Sequence, residues 1–182
     1  MWDNAIKKAA AYIVSGELVG IPTETVYGLA GSALYSTAAE KIYAAKGRPS
    51  DNPLIVHVAY PADAEKYAYP TSLFYTLAEH FMPGPLTIIL PKRSIIPDTV
   101  SGGLDTVAIR CPAHPIAHRL IEISGHPIAA PSANRSGKPS CTTAAHVYED
   151  LAGKIPLILD GGICDIGVES TVVSLEKDRC TI

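Results

Sequence analysis

The sequence lacks a long apolar run, and it contains little charge. No stretch of the 182 residues approaches the roughly 20 apolar residues of a membrane-spanning helix, and the N-terminus lacks the charged and apolar regions of a signal peptide. Charged residues make up 18%, hydrophobic residues make up 47%, and the formal net charge is −3. This balance argues against disorder, and it gives no whole-chain reason to expect a nucleic-acid coat or a membrane anchor. We therefore expect one folded domain over residues 1–182, without membrane contact.

Cysteine is scarce, and the four cysteines are widely spaced: Cys111, Cys141, Cys164 and Cys180. No two of them form the CxxC pair of a zinc ribbon or a thioredoxin-like site. A disulfide framework is not expected at this chain length and cysteine density. The pattern predicts free thiols in a reducing compartment, and hence a cytoplasmic protein.

Three common catalytic motifs are also missing. His114 and His118 have the spacing of two metal ligands, but the glutamate of HExxH and a clear third ligand are absent, so we expect no metal site. The Gly-Lys pair before Pro139 is not a P-loop, because that motif requires an earlier glycine and a serine or threonine in place of the proline. Ser170 has no G-x-S-x-G elbow around it, which leaves a serine hydrolase without support.

Helix-like and strand-like segments alternate along the chain, which is typical of an α/β (α+β) domain. Some connections are too short for crossover helices, so we expect a mixed parallel and antiparallel sheet with flanking helices. One helix is expected to start with a capping box at residues 37–40. The predicted helices span residues 6–14, 37–44, 72–81, 115–123 and 144–151, the last one capped by Thr143. The predicted strands span residues 18–21, 54–58, 86–90, 106–110, 128–130, 157–159 and 171–175.

Two loops combine polar side chains with nearby apolar strands. Thr23, Glu24 and Thr25 directly follow a strand, and the two threonine hydroxyls can either bind a small polar ligand or cap a helix. Lys46 and Arg48 flank a glycine at a helix end. They can hold a phosphate chain or complement the helix dipole, and both side chains are expected outside the core.

Two further features suggest anion binding. Arg110 ends an apolar strand, where an unpaired guanidinium is costly, so it needs either a ligand carboxylate or a structural salt bridge. The loop at residues 131–141 contains Ser132, Asn134 and Ser140 together with two cations and no acid. Such a loop is rich in groups that bind phosphate.

Taken together and in this order, the segments resemble the YrdC-type domain of threonylcarbamoyl-AMP synthases. The resemblance covers roughly residues 5–175 and is specific as an ordered set, although each motif alone is weak. The matching segments are PTETVYGL at 22–29, K-x-R at 46–48, PLIVH at 53–57, PGPLT at 83–87, AIRCP at 108–112, S-x-N at 132–134 and ESTVV at 169–173.

The resemblance implies a twisted mixed sheet around a concave, positively charged groove. It also implies a nucleotidyltransferase, L-threonylcarbamoyladenylate synthase, which forms threonylcarbamoyl-AMP and pyrophosphate from L-threonine, bicarbonate and ATP. Mg²⁺ would accompany the ATP, and no prosthetic group is implied. A partner complex would then transfer the threonylcarbamoyl group to tRNA, in the modification that yields threonylcarbamoyladenosine.

The resemblance also implies roles for single residues. Lys46 and Arg48 would act on the phosphates as catalytic residues, and no general base is assigned. The implied threonine-binding residues are Thr25, His57, Arg110, Ala130 and Ser170. The implied ATP-binding residues are Arg48, Asn52, Thr106, Ser132, Asn134 and Ser140.

Two alternatives remain open at this point. One is another carbamoyl-adenylate former, and the other is a double-stranded RNA or tRNA-binding module without catalysis. The second would use a surface patch of cations, namely Lys46, Arg48, Arg110, Arg135 and Lys138. The sequence departs from the family pattern at its C-terminus: it ends where an Arg-Pro-Gly segment is expected, and no second C-terminal domain is expected in the chain.

Overall fold

A nine-stranded mixed sheet runs through the residues that the computed structural model describes, which are 2–176 and 179–182. The strands in chain order are β1 (Val19–Ile21), β2 (Gly28–Ser32), β3 (Ile55–His57), β4 (Leu86–Pro91), β5 (Thr106–Arg110), β6 (Ile128–Ala129), β7 (Leu157–Ile158), β8 (Thr171–Glu176) and β9 (Arg179–Thr181). Their order across the sheet is β7-β1-β2-β6-β3-β5-β4-β8-β9. Strands β3 and β5 are parallel, and both have antiparallel neighbours, β6 and β4. The expected mixed sheet is therefore confirmed.

Helices pack on this sheet and bury the apolar faces that their sequences provide. They are α1 (Trp2–Val14), α2 (Ser36–Lys46), a 3₁₀ helix (Pro61–Lys66), α3 (Ser72–Phe81), α4 (Asp98–Ser101), α5 (Pro115–Ser124) and α6 (Ala144–Leu151). Helices α1 and α5 pack against each other, and their buried residues share one apolar cluster with β1 and β6. Among the described residues, no helix is both long and apolar enough to cross a membrane.

One face of the central strands is partly exposed. Ile88 and Ile109 point into the core and are fully buried, while Ile89 and Ala108 on the opposite face are only partly buried. Ile89 pairs with Ala108 on β5 and with Ser174 on β8, so the partly buried positions are neighbours across three strands. Because side chains alternate between the two faces of a strand, these positions form one partly exposed row on the face opposite Ile88 and Ile109.

The predicted helices and strands are confirmed apart from their ends, with one error and several omissions. Helix α2 begins at Ser36 after Tyr35, which makes no side-chain capping bond, so the capping box expected at residues 37–40 is wrong. The 3₁₀ helix, α4, β2 and β9 were not predicted. Strand β2 was missed because its sequence, GLAGS, lacks the β-branched residues that mark strands. A Cβ at Gly31 would lie 2.9 Å from a methyl of Leu18 and 3.3 Å from the Cβ of Ala38, so glycine favours the close packing there.

Candidate active site

A small polar cavity lies where β3 and β5 end side by side. His57 and Arg110 are the last residues of these parallel strands and are direct neighbours in register. Ligands of open α/β sheets bind at this carboxyl edge. The cavity has a free volume of about 50 Å³, room for several water-sized groups. The structure brings the whole predicted threonine set to its walls: Thr25, His57, Arg110, Ala130 and Ser170.

Arg110 forms a buried ion pair inside the protein. Its Nη2 lies 2.6 Å from Oε1 of Glu24, and its Nε donates to the carbonyl oxygen of Gly84 at 3.3 Å. The second oxygen of Glu24 accepts from the backbone N–H of Ala113 at 3.1 Å. The structural salt bridge considered for Arg110 is therefore present. It uses one edge of the guanidinium, and Nη1 has no hydrogen-bond partner among the described residues, so the end of the fork can still bind a carboxylate.

His57 is an uncharged residue of the cavity wall. Its ring is buried, and burial together with the neighbouring Arg110 charge lowers the pKa of His57 to about 3. Nδ1 lies 3.3 Å from the carbonyl oxygen of Ile128, which can only accept, so Nδ1 holds the proton. Nε2 is then left with a lone pair.

Thr25 is a second acceptor. Thr23 Oγ1 donates to the carbonyl oxygen of Val26 at 2.6 Å, which uses the only hydroxyl proton of Thr23. The 2.9 Å contact between the two threonine hydroxyls must therefore be donated by Thr25, whose lone pairs remain for a ligand. No helix begins here, because the chain continues into β2, so the helix-cap interpretation of these threonines is wrong.

The segment before β8 closes the cavity from the other side. Its backbone N–H groups at Ile166 and Gly167 donate to the carbonyl oxygens of Glu24 and Thr25, each at 2.9 Å. Ser170 Oγ lies 2.7 Å from Oγ1 of Thr87 on β4. This segment is thereby joined to both the β1–β2 loop and the sheet.

Lys46 is not a free surface cation, contrary to the expectation that its side chain lies outside the core. It is the last residue of α2 and only 3% exposed, and its Nζ donates to the carbonyl oxygens of Ser132 and Asn134, the latter at 2.5 Å. Burial, and secondarily the nearby Arg48 charge, lowers the pKa of Lys46 to about 8. Its ammonium fastens the loop at residues 131–141 to α2. Its role as a catalytic residue stays a prediction.

The predicted ATP residues do not all gather at the cavity. Ser132 lines the cavity, and Asn134 shapes the same loop, since its Nδ2 donates to the carbonyl oxygen of Lys138 at 2.7 Å. Arg48 is half-buried, and its Nη2 donates to the carbonyl oxygen of Pro53 at 3.2 Å, just before β3. Thr106 begins β5, four residues before Arg110 and so about 13 Å from it along the strand.

Five cations were considered as a surface patch for RNA binding, and for two of them this prediction is wrong. Lys46 and Arg110 are buried, so neither can reach a backbone phosphate at the surface. Lys138 pairs with Asp150 at 2.6 Å. The remaining members, Arg48 and Arg135, lie in different loops. Whether the groove is positively charged overall stays a prediction.

Residues 2–176 and 179–182 contain no group of three or more His, Cys, Asp or Glu that could hold a metal ion. His114 instead caps α5, where its Nδ1 accepts from the backbone N–H of Ile116 at 3.2 Å. All four cysteines are free thiols, and Cys180 alone among them is exposed.

Two acidic residues of the site were missed as functional candidates. Glu24 was noted only as a neighbour of the threonines, although a buried arginine calls for a carboxylate partner. Glu169 lines the cavity, and its Oε1 accepts a hydrogen bond from the Ser140 hydroxyl. Its position directly before Ser170 in a matched segment was the available signal.

The chain is similar to known proteins over most of its length. The family model Sua5_yciO_yrdC, described as "Telomere recombination", matches residues 11–182. The threonylcarbamoyl-AMP synthase of Pyrococcus abyssi is 56% identical over 94% of this chain and 51% of its own length. That of Bacillus subtilis is 54% identical over 97% of this chain and 51% of its own length.

A solved structure is equally similar. The crystal structure of P. abyssi Sua5 complexed with L-threonine superposes with a TM-score of 0.94 at 55% identity, covering 96% of this chain and 52% of that one. The chain thus spans about half the length of these relatives. The mixed sheet, the ordered motifs and the match over residues 11–182 establish that the chain belongs to the Sua5/YciO/YrdC family.

Proposed function

We propose that the chain is the L-threonylcarbamoyladenylate synthase domain of its family and forms threonylcarbamoyl-AMP from L-threonine, bicarbonate and ATP. The observation that supports this most is the polarity of the cavity, which combines a guanidinium with two acceptors, Thr25 Oγ1 and His57 Nε2. Zwitterionic threonine offers the complement: one carboxylate and the donors of an ammonium and a hydroxyl. Relatives that are 54–56% identical are named for this activity.

The proposed mechanism depends on positioning. Arg110 holds the carboxylate of threonine, and Thr25, His57 and Ser170 orient its hydroxyl and amine. The amine and bicarbonate form a carbamate, whose oxygen attacks the α-phosphorus of ATP in line and displaces pyrophosphate. Arg48 and the loop at residues 131–141 stabilise the phosphate charge. Mg²⁺ would arrive with the ATP and neutralise phosphate charge.

We further propose that the product is passed to the complex that modifies tRNA, in the cytoplasm. The test of the enzymatic step is incubation of the chain with ATP, Mg²⁺, bicarbonate and L-threonine, followed by mass detection of the adenylate. Parallel reactions omit one component each. Release of pyrophosphate that depends on both threonine and bicarbonate supports the proposal, and a chain that binds RNA but releases none contradicts it.

Amino-acid selectivity tests the cavity directly. We expect kcat/KM to fall about 10- to 100-fold when alanine replaces threonine, because the acceptors that meet the hydroxyl are left unpaired. Serine lacks only the methyl group, worth about 1 kcal/mol, so it should fall between the two. The measurement is pyrophosphate release at varied amino-acid concentration. Equal kcat/KM for threonine and alanine would mean that the proposed cavity does not bind the side chain.

A further inference from the structure

The proposed reaction requires a proton acceptor, and this inference rests on that proposed function. Threonine binds as an ammonium, whose nitrogen has no lone pair with which to attack bicarbonate. The balance is RNH₃⁺ + HCO₃⁻ → RNHCOO⁻ + H₂O + H⁺: the N–C bond forms, a C–O bond breaks, and one proton must leave. A positioned base near the amine would accept that proton.

The titratable groups on the cavity wall are Tyr27, His57, Arg110 and Glu169, and three of them cannot serve. Arg110 remains charged. His57 is buried beside the charged Arg110, which lowers its pKa to about 3, so a proton on its ring would add a buried positive charge without a counter-ion. The hydroxyl of Tyr27 donates to the carbonyl oxygen of Gly162 at 2.7 Å, which turns it toward the protein.

Glu24 is close to the site but is already engaged. One of its oxygens pairs with Arg110, and the other accepts the backbone N–H of Ala113. Protonating this carboxylate would leave the buried guanidinium without its counter-ion, which is costly. Glu24 therefore serves Arg110 and not the substrate amine.

Glu169 is the carboxylate that remains. It is exposed, so a proton that it accepts can pass to solvent, and the Ser140 hydroxyl holds its Oε1. Oε2 has no hydrogen-bond partner among the described residues. The nearby cations already have acidic partners: Arg110 pairs with Glu24, and Lys138 of the Ser140 loop pairs with Asp150. Asp165 is a second acid on the segment that carries Glu169.

We propose that Glu169 is the general base that accepts the proton of the threonine ammonium, with Ser140 holding the carboxylate in place. Arg110 and Glu169 would then bind the two charged ends of one zwitterion. The role of Ser140 is in that case to position the base, in addition to any contact with the nucleotide.

The test compares the full chain with Glu169→Gln, Glu169→Asp and a control, Glu40→Gln, whose carboxylate is exposed on α2 far along the chain. At pH 7 we expect Glu169→Gln to lower kcat about 10²–10⁴-fold. Without the base, only threonine that already carries a free amine in solution can react. The difference in kcat between Glu169→Gln and the unmodified chain should therefore shrink about tenfold per pH unit, up to the pKa of the threonine ammonium. Glu169→Asp should lose less and keep the pH profile of the unmodified chain, and Glu40→Gln should match that chain.

The outcomes separate the two proposals. An unchanged kcat in Glu169→Gln overturns the proposed base, while the synthase activity stands. A loss of kcat that stays constant from about pH 6.5 to about pH 8.5 does the same, because about two pH units should change it about a hundredfold. An unmodified chain that forms no threonylcarbamoyl-AMP overturns the proposed function and the base together. A loss of kcat in Glu169→Gln that becomes smaller as the pH rises supports both the proposed function and the proposed base.

Discussion

Lys46→Met lowers the free energy of unfolding by about 2–5 kcal/mol, because it leaves the buried carbonyl oxygens of Ser132 and Asn134 without their donor. Urea denaturation measures the effect. The matched control is Lys41→Met on the same helix. Its ion pair with Glu17 is 43% and 47% exposed, so we expect a loss of at most about 1 kcal/mol. Similar losses for the two variants would contradict the fastening role of Lys46.

Lys46→Met also tests how the free energy of unfolding depends on pH. The folded state lowers the pKa of Lys46 from 10.5 to about 8, so between these values the unfolded chain keeps a proton that the folded chain has lost. The stability that Lys46 contributes must then increase with pH across this window, by at most about 1.4 kcal/mol per pH unit. Subtracting the unfolding free energy of Lys46→Met at each pH cancels the other titrating groups. A difference that stays flat from pH 8 to 10.5 would contradict the lowered pKa.

Arg110→Lys raises the KM for threonine about 10- to 100-fold. Lysine keeps the charge and can still pair with Glu24, but it lacks the second edge of the guanidinium that we assign to the threonine carboxylate. ATP affinity measured without threonine should change much less, since Arg48 and the loop at residues 131–141 hold the nucleotide in the proposed mechanism. Steady-state kinetics with each substrate varied, and calorimetry with ATP, make the distinction.

A more drastic substitution is the control for that interpretation. Arg110→Met leaves Glu24 buried and unpaired, which costs about 3–5 kcal/mol of stability, so loss of activity there reports unfolding as much as binding. An Arg110→Lys enzyme with an unchanged KM for threonine but weakened ATP binding would assign Arg110 to the nucleotide instead.

Local pattern predicted most of the fold, because most elements here follow their local signals. Helix α3 and strand β5 have the predicted limits, and α6 begins after Thr143, whose hydroxyl accepts from the N–H of His146 as expected of a cap. Strand β2 does not follow a local signal. Its glycines reflect the close approach of neighbouring elements, and a single sequence does not show that packing.

The site shows the same division between local and distant causes. The ordered motifs were enough to gather the five residues of the threonine set, and the structure places all of them on one cavity. The partner of Arg110 could not be chosen from the sequence, since Glu24 lies 86 positions away. The burial of Lys46 was equally hidden: a lysine before a helix-ending glycine usually faces water, and only a loop 86 to 88 positions later gives it carbonyl partners.

The attachment of that loop to α2 is double, and this has a consequence for local motion. Lys46 donates through its side chain to Ser132 and Asn134, and its backbone carbonyl oxygen accepts the N–H of Ser136 at 2.9 Å. An exposed polar loop would ordinarily open by itself, with fast amide hydrogen exchange. Here the Ser136 amide can exchange only when its bond to the end of α2 breaks, which separates the loop from the helix. The protection of Ser136 should therefore fall when the Lys46 side chain, which holds the same loop, is removed.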